Sequence, residues 1–277
     1  MFIIGCGLVL DDFKQVVTQP KAILIGLVLQ LLMLPGVAFI IAYLSPIDPA
    51  FKVGIVIIAA CPGGTSSNLV SHMIRAKVAL SVSLTAFNSF LILISIPAIL
   101  SVAISFFMSS SQDIVLSFWE TLANILGTVI LPVVIGMAVK HRFEAFAQKV
   151  EKYSDYILPL ILILIFVVAS GSSFAGESSI SDLLLLSIPL IILNLGSMLL
   201  GYAISRRAGL AFKKQLTISI EIGLQNSALA IFIASQLIGN DKMTQMAIIY
   251  SSFSFFTTFG FAYLIKRNQG RRTETLK

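Results

Sequence analysis

The chain has 277 residues, 57% of them hydrophobic and 12% charged, with a formal net charge of +6 and a mean hydropathy of +0.97. A soluble domain carries roughly twice that charge fraction, so a globular domain with a large core is excluded and a polytopic membrane protein indicated. The cations sit in short clusters between apolar runs, which marks them as topology signals and argues against a nucleic-acid partner.

Met1 to Leu10 is apolar but too short to span, and it lacks the basic start and small-residue cleavage site of a signal peptide. After a polar stretch from Asp11 to Lys21, Ala22 to Tyr43 is a full span carrying Gln30 and a kink candidate, Pro35. Phe51 to Ile74 follows, interrupted by CPGGTSSN at Cys61 to Asn68, and then Val78 to Phe107 with Pro97 inside it. Further spans are expected at Leu116 to Val139, Tyr153 to Phe174, Leu183 to Ser205, Leu210 to Leu237 and Met243 to Ile265, ahead of a basic tail. Runs of about 20 residues or more suit helices and not barrel strands. Trp119 and Tyr153, near span ends, read as interface anchors. Asn124 and Asn194, inside spans, read as interhelical glue or cavity lining. His72, beside Arg75, reads as solvated. Cys6 and Cys61 lack metal-type spacing, so neither zinc nor a disulfide framework is indicated.

If the loops alternate sides with Asp11 to Lys21 inside, 17 of the 19 Lys and Arg fall inside, and only Lys52 and Lys242 outside. That satisfies the positive-inside rule and places the C-terminus in the cytoplasm.

Two spans are interrupted near their middles by glycine and polar residues, the sequence pointer to the site of a transporter built from inverted repeats. Gly64 and Gly223 are 159 residues apart, and the spans starting near Val78 and Asn240 are 162 apart. Such spacing puts the start of the first repeat about 46 residues before Met1, so that one helix and most of the next are expected to be lacking.

The second interruption, TISIEIGLQNSALA at Thr217 to Ala230, holds Glu221 at mid-span. An ionised carboxylate at that depth costs at least ~2.5 kcal/mol, so partners must surround it. Breaks in helices expose backbone groups that survive in a membrane only when buried in protein or lining a cavity. Half-helix N-termini suit an anionic group, and exposed carbonyls suit a hard cation. The polar residues available are oxygen donors: Gln30, Thr65, Ser66, Ser67, Asn68, Ser81, Thr85, Gln225 and Asn226. Ser81 and Thr85, four apart, share a helix face.

CPGGTSSN, then ALSVSLT, then EIGLQNSALA together resemble the bile acid:sodium symporter family, over most of the chain. The resemblance implies an all-α polytopic membrane protein made of two inverted five-helix repeats, the first truncated: 1–108, then 109–266, with a cytoplasmic tail at 267–277. It implies a core domain from 22–108 and 182–266 containing two crossing discontinuous helices, and a panel from 1–10 and 114–174. Two sodium sites follow by resemblance. The first uses Ser67, Asn68, Ser81, Thr85 and Glu221; the second uses Gln30, Glu221, Gln225 and the carbonyls of Ile222 and Leu224. Thr65 and Asn226 match positions that face the substrate. Family substrates are bile acids, sulfated steroids, pantoate and keto acids, so the expected function is Na⁺-coupled symport of an organic anion across a bacterial inner membrane, with Na⁺ as coupling ion and no other cofactor. The alternatives are a proton-coupled carrier with Glu221 titrating, and a truncated membrane protein that does not transport. An intramembrane enzyme is disfavoured, because nothing pairs a nucleophile with a base.

Overall fold

The computed structural model describes residues 19–108, 131–150 and 180–274, with a few isolated positions besides. The expected stub at 1–10 and the spans at 116–139 and 153–174, with Trp119 and Asn124, fall largely outside the described residues. Within them the protein is helical. Helix α1 (Pro20–Leu44) is followed by a broken pair, α2 (Pro49–Ala60) and α3 (Thr65–Met73), and by α4 (Val78–Met108). After α5 (Leu131–Arg142) come α6 (Ile180–Arg207), a second interrupted pair α7 (Phe212–Gly223) and α8 (Ser227–Phe232), and α9 (Asp241–Glu274).

Local chemistry sets the ends. Asp48 caps α2 by accepting from the Ala50 N–H at 2.9 Å, with Pro49 in the first turn, where its missing N–H costs nothing. Asn226 caps α8, its Oδ1 accepting from the Leu229 N–H at 3.1 Å, and Asn240 does the same for α9 through Met243. Between α3 and α4 the chain reverses at Arg75, whose φ of 57° is a left-handed value that few non-glycine residues adopt.

Pro35 was the expected kink in α1. The structure puts the irregularity one turn earlier, as a π-turn over Leu29–Met33. Proline cannot donate to the carbonyl four residues back, and the widened turn takes up that missing bond. Gln30 lies in this turn and is buried. A matching π-turn at Ile233–Leu237 extends α8.

Among the described residues five helices are long and apolar enough to cross a membrane, and the bent α2–α3 pair counts as a sixth if it forms one span. Leu24, Val28 and Leu32 on α1 and Leu184, Ile188 and Ile192 on α6 are exposed at helical spacing. Such apolar outer faces need lipid as their solvent. The span from Phe212 to Leu237 is different, with 78% of its apolar window buried against 22–39% for the other unbent spans. It stands at the centre. Nine of the twelve residues of α2 are likewise buried, packed against α1, α4 and α9. Glycines permit the closest approaches: a Cβ on Gly54 of α2 would stand 2.9 Å from the Met246 side chain of α9.

Candidate functional site

The α7 helix ends where Leu224 turns extended, with φ −105° and ψ 96°. Glu221 lies one turn before that end, 1% exposed. Its Oε2 accepts from the Ser81 hydroxyl at 2.9 Å and its Oε1 from the Thr85 hydroxyl at 3.0 Å. The i, i+4 spacing on α4 thus brackets both carboxylate oxygens. Ser67 adds a third hydroxyl beside the carboxylate and donates to the Gly64 carbonyl at 2.8 Å. Asn68 Oδ1 lies 3.4 Å from Thr85 Oγ1. All five residues expected in the first cation site are therefore brought together, from α3, α4 and α7. Among the described residues no Lys or Arg pairs with Glu221; the ion pair present, Lys242 with Asp48, lies at the ends of α9 and α2.

The second group forms around Gln225. Its Nε2 donates to the Ile222 carbonyl at 2.8 Å, and its Oε1 accepts from Gln30 Nε2 at 3.0 Å. The π-turn of α1 is what delivers Gln30 to this point. The Leu224 carbonyl faces the other break closely: a Cβ on Gly63 would stand 2.5 Å from it. Gln30, Ile222 and Gln225 are thus assembled by direct bonds. Glu221, expected in both sites, makes its hydrogen bonds on the Ser81 and Thr85 side.

The two breaks touch. The Asn226 N–H donates to the Cys61 carbonyl at 3.0 Å, so each break satisfies a backbone group of the other. Cys61 is fully buried there. Thr65 begins α3, and both it and Asn226 are half-buried, whereas Gln30, Ser67, Ser81, Thr85 and Glu221 are buried. Part of the Asn226 side chain is committed to capping α8. His72, at the last turn of α3, is exposed, as expected.

Sequence reasoning missed a further cluster on the opposite side of α7. The Gly223 carbonyl accepts from Asn194 Nδ2 at 2.7 Å and from the Tyr250 hydroxyl, and Asn194 Oδ1 accepts from the Thr257 hydroxyl at 2.7 Å. From sequence Asn194 reads as interhelical glue or cavity lining, and Tyr250 gives no signal beyond being a tyrosine at mid-span.

Chemically the donor set is oxygen throughout: carboxylate, hydroxyl, amide and main-chain carbonyl. A hydroxyl that donates to Glu221 keeps lone pairs for a cation. Hard cations take such ligands. Among the described residues no three His, Cys, Asp or Glu stand together, as a softer metal would need.

The model of the Sodium Bile acid symporter family matches residues 1–176. The chain is 30% identical over 240 residues to the probable sodium/metabolite cotransporter BASS1, chloroplastic, of Arabidopsis thaliana, covering 85% of this chain and 57% of that one. It is 28% identical over 237 residues to the sodium-dependent transporter YocS of Bacillus subtilis, covering 85% and 71%. The human ileal sodium/bile acid cotransporter is 28% identical over 277 residues, covering 98% of this chain and 78% of the relative. The chain thus spans little more than half the length of the plant relative.

Proposed function

Because the chain belongs to the sodium bile acid symporter family, we propose that it is a secondary active transporter, not an enzyme, that couples inward Na⁺ flow to uptake of an organic anion. The observation that carries this reading is Glu221: a carboxylate 1% exposed, bonded by the Ser81 and Thr85 hydroxyls and paired with no described cationic side chain. A charge so placed is expensive unless a mobile cation joins it.

In this reading one Na⁺ is held by Ser67, Asn68, Ser81, Thr85 and Glu221. A second is held by Gln30, Gln225 and the carbonyls of Ile222 and Leu224, with Glu221 between the two. The anion, bile acid-like, a sulfated steroid, pantoate or a keto acid, binds at the crossing beside Thr65 and Asn226. The N-terminus of α3 supports this, because its cap residue Gly64 has no side chain and leaves the first N–H groups to a ligand. Transport then proceeds by alternating access. The broken helices and their neighbours at 22–108 and 182–266 move as a core against a panel drawn from 1–10 and 114–174, within inverted repeats at 1–108 and 109–266. In this reading the protein sits in a bacterial inner membrane, and the charge distribution supports a cytoplasmic tail, 267–277.

Ions and substrate that favour the same conformation must strengthen each other's binding. The test is uptake of a panel of organic anions into proteoliposomes under a Na⁺ gradient, with choline as the control cation. Na⁺-driven accumulation that Glu221→Ala abolishes is expected. Equal uptake in Na⁺ and choline, or uptake driven by a pH gradient alone, overturns the reading.

A further inference from the structure

Successive carbonyls of an extended strand point to opposite sides. Leu224, just past the end of α7, is extended, so the carbonyls on either side of it, those of Gly223 and Leu224, point apart. The Leu224 carbonyl lies against the α2–α3 break at Gly63, and the Ile222 carbonyl, two residues earlier, accepts from the Gln225 side chain. That of Gly223 is met from the far side by Asn194 on α6 and Tyr250 on α9. Asn194 Nδ2 also lies 3.2 Å from the Tyr250 hydroxyl and 3.3 Å from Thr258 Oγ1, and Thr257 fixes its oxygen at 2.7 Å. Asn194, Tyr250 and Thr258 are each 0–1% exposed.

One donor is enough to satisfy a buried carbonyl, so two on the same oxygen do more than avoid an orphan. They stand where the backbone most needs them. Glycine gives the Gly223–Leu224 peptide the cheapest route to rotate, and such a rotation would turn the Gly223 oxygen toward the cation side and disturb the carbonyls on either side of it. We propose that Asn194 and Tyr250, with Thr257 behind them, are positioning residues for the second cation site. They clamp the Gly223 carbonyl on the α6–α9 side and so aim the Ile222 and Leu224 carbonyls at the ion. This inference rests on the cation reading above and adds to it residues that never touch the ion.

The test uses Na⁺ itself as the probe. Thermal unfolding of the purified protein is followed as Na⁺ replaces choline at constant ionic strength, and the half-saturating Na⁺ concentration is read from the shift. Tyr250→Phe and Thr257→Val remove single hydroxyls at nearly unchanged shape. The half-saturating concentration should rise about fivefold in Tyr250→Phe, the equivalent of about 1 kcal/mol, and about twofold in Thr257→Val. Ile96→Val, a buried position on α4, which supplies no clamp residue, should lower the unfolding temperature and leave the Na⁺ midpoint where it was. A lower unfolding temperature with an unmoved midpoint in both hydroxyl variants overturns the inference and leaves the cation reading standing. A wild-type protein whose unfolding is indifferent to Na⁺ overturns both.

Discussion

The two helix breaks meet at Cys61 and Asn226 yet are built in opposite ways. Between α2 and α3 the chain turns through Cys61, Pro62, Gly63 and Gly64, and the half-helices are bent by 61°. The second half begins without a side-chain cap. Between α7 and α8 the axis runs on as one span from Phe212 to Leu237. That break carries its own polar chemistry: Glu221 before it, Gln225 in it, and Asn226 capping the next helix. The first turn, Cys61 to Gly64, works by removing side chains so that backbones can approach; the second, Leu224 to Asn226, carries polar side chains in the turn itself. The site needs both, because neither offers a charge and an open helix terminus at once.

The largest effect that would break this contrast is expected at Glu221. In Glu221→Gln, Na⁺-dependent uptake should fall more than about 100-fold, since losing one member of a buried charge–cation pair is worth about 3 kcal/mol or more. Retained transport would make the second break as passive as the first. Next come the glycines, which test whether the first break depends on an empty side-chain position. Gly63→Ala should destabilise the protein by about 1–3 kcal/mol and disable transport, because its Cβ would meet the rigid Leu224 carbonyl at 2.5 Å. Gly223→Ala should cost less, because the atoms nearest its Cβ, at 2.2 Å, belong to the Met198 side chain, which can rotate where a main-chain carbonyl cannot. Unfolding temperatures of the pair give the order, and a reversed order would refute the contrast.

Smaller still is the cap. Asn226→Ala should lower stability by about 1 kcal/mol, readable by denaturant unfolding in detergent, whereas Gly64→Ala removes no side-chain cap. The smallest effect belongs to Asp48 and Lys242, far from either break. Their 2.7 Å pair is about half exposed and should contribute less than about 1 kcal/mol. The hydrogen bond from Lys242 is the main influence holding the Asp48 carboxyl below its ordinary value. Its small contribution is therefore present above the usual carboxylate range and lost as pH falls through the lowered value. Lys242→Met should flatten that acid-side slope and leave transport at neutral pH unchanged.

Much of the site was legible because membrane segments make polar residues conspicuous. A carboxylate at mid-span, a Pro-Gly-Gly run in an apolar segment and hydroxyls four apart each break a simple rule, and the structure brings them together. Gln30 was legible as a residue but not in its mechanism, since a π-turn leaves no compositional mark ahead of Pro35. The Asn194–Tyr250 clamp was not legible. A lone asparagine in a span has many uses, and a tyrosine's hydroxyl is defined only by the carbonyl it finds from another helix. Helix limits moved by a few residues, most at α9, which runs through the basic stretch to Glu274 instead of stopping near Ile265. Charge next to a span marks the membrane surface, and a helix can continue through it into water.

That long α9 has a mechanical consequence. It lies against α2 at Gly54 and Met246, and 20 residues beyond Met246 the Lys266 ammonium donates to the Ile74 carbonyl at the end of α3, 2.8 Å away. Two rods meeting at an angle are a hinge, but a third rod fixed to both closes a triangle, and a triangle cannot change an angle without stretching a side. The 61° bend is braced in this way, like a joint in a truss. A brace of this kind opposes change in the angle between α2 and α3.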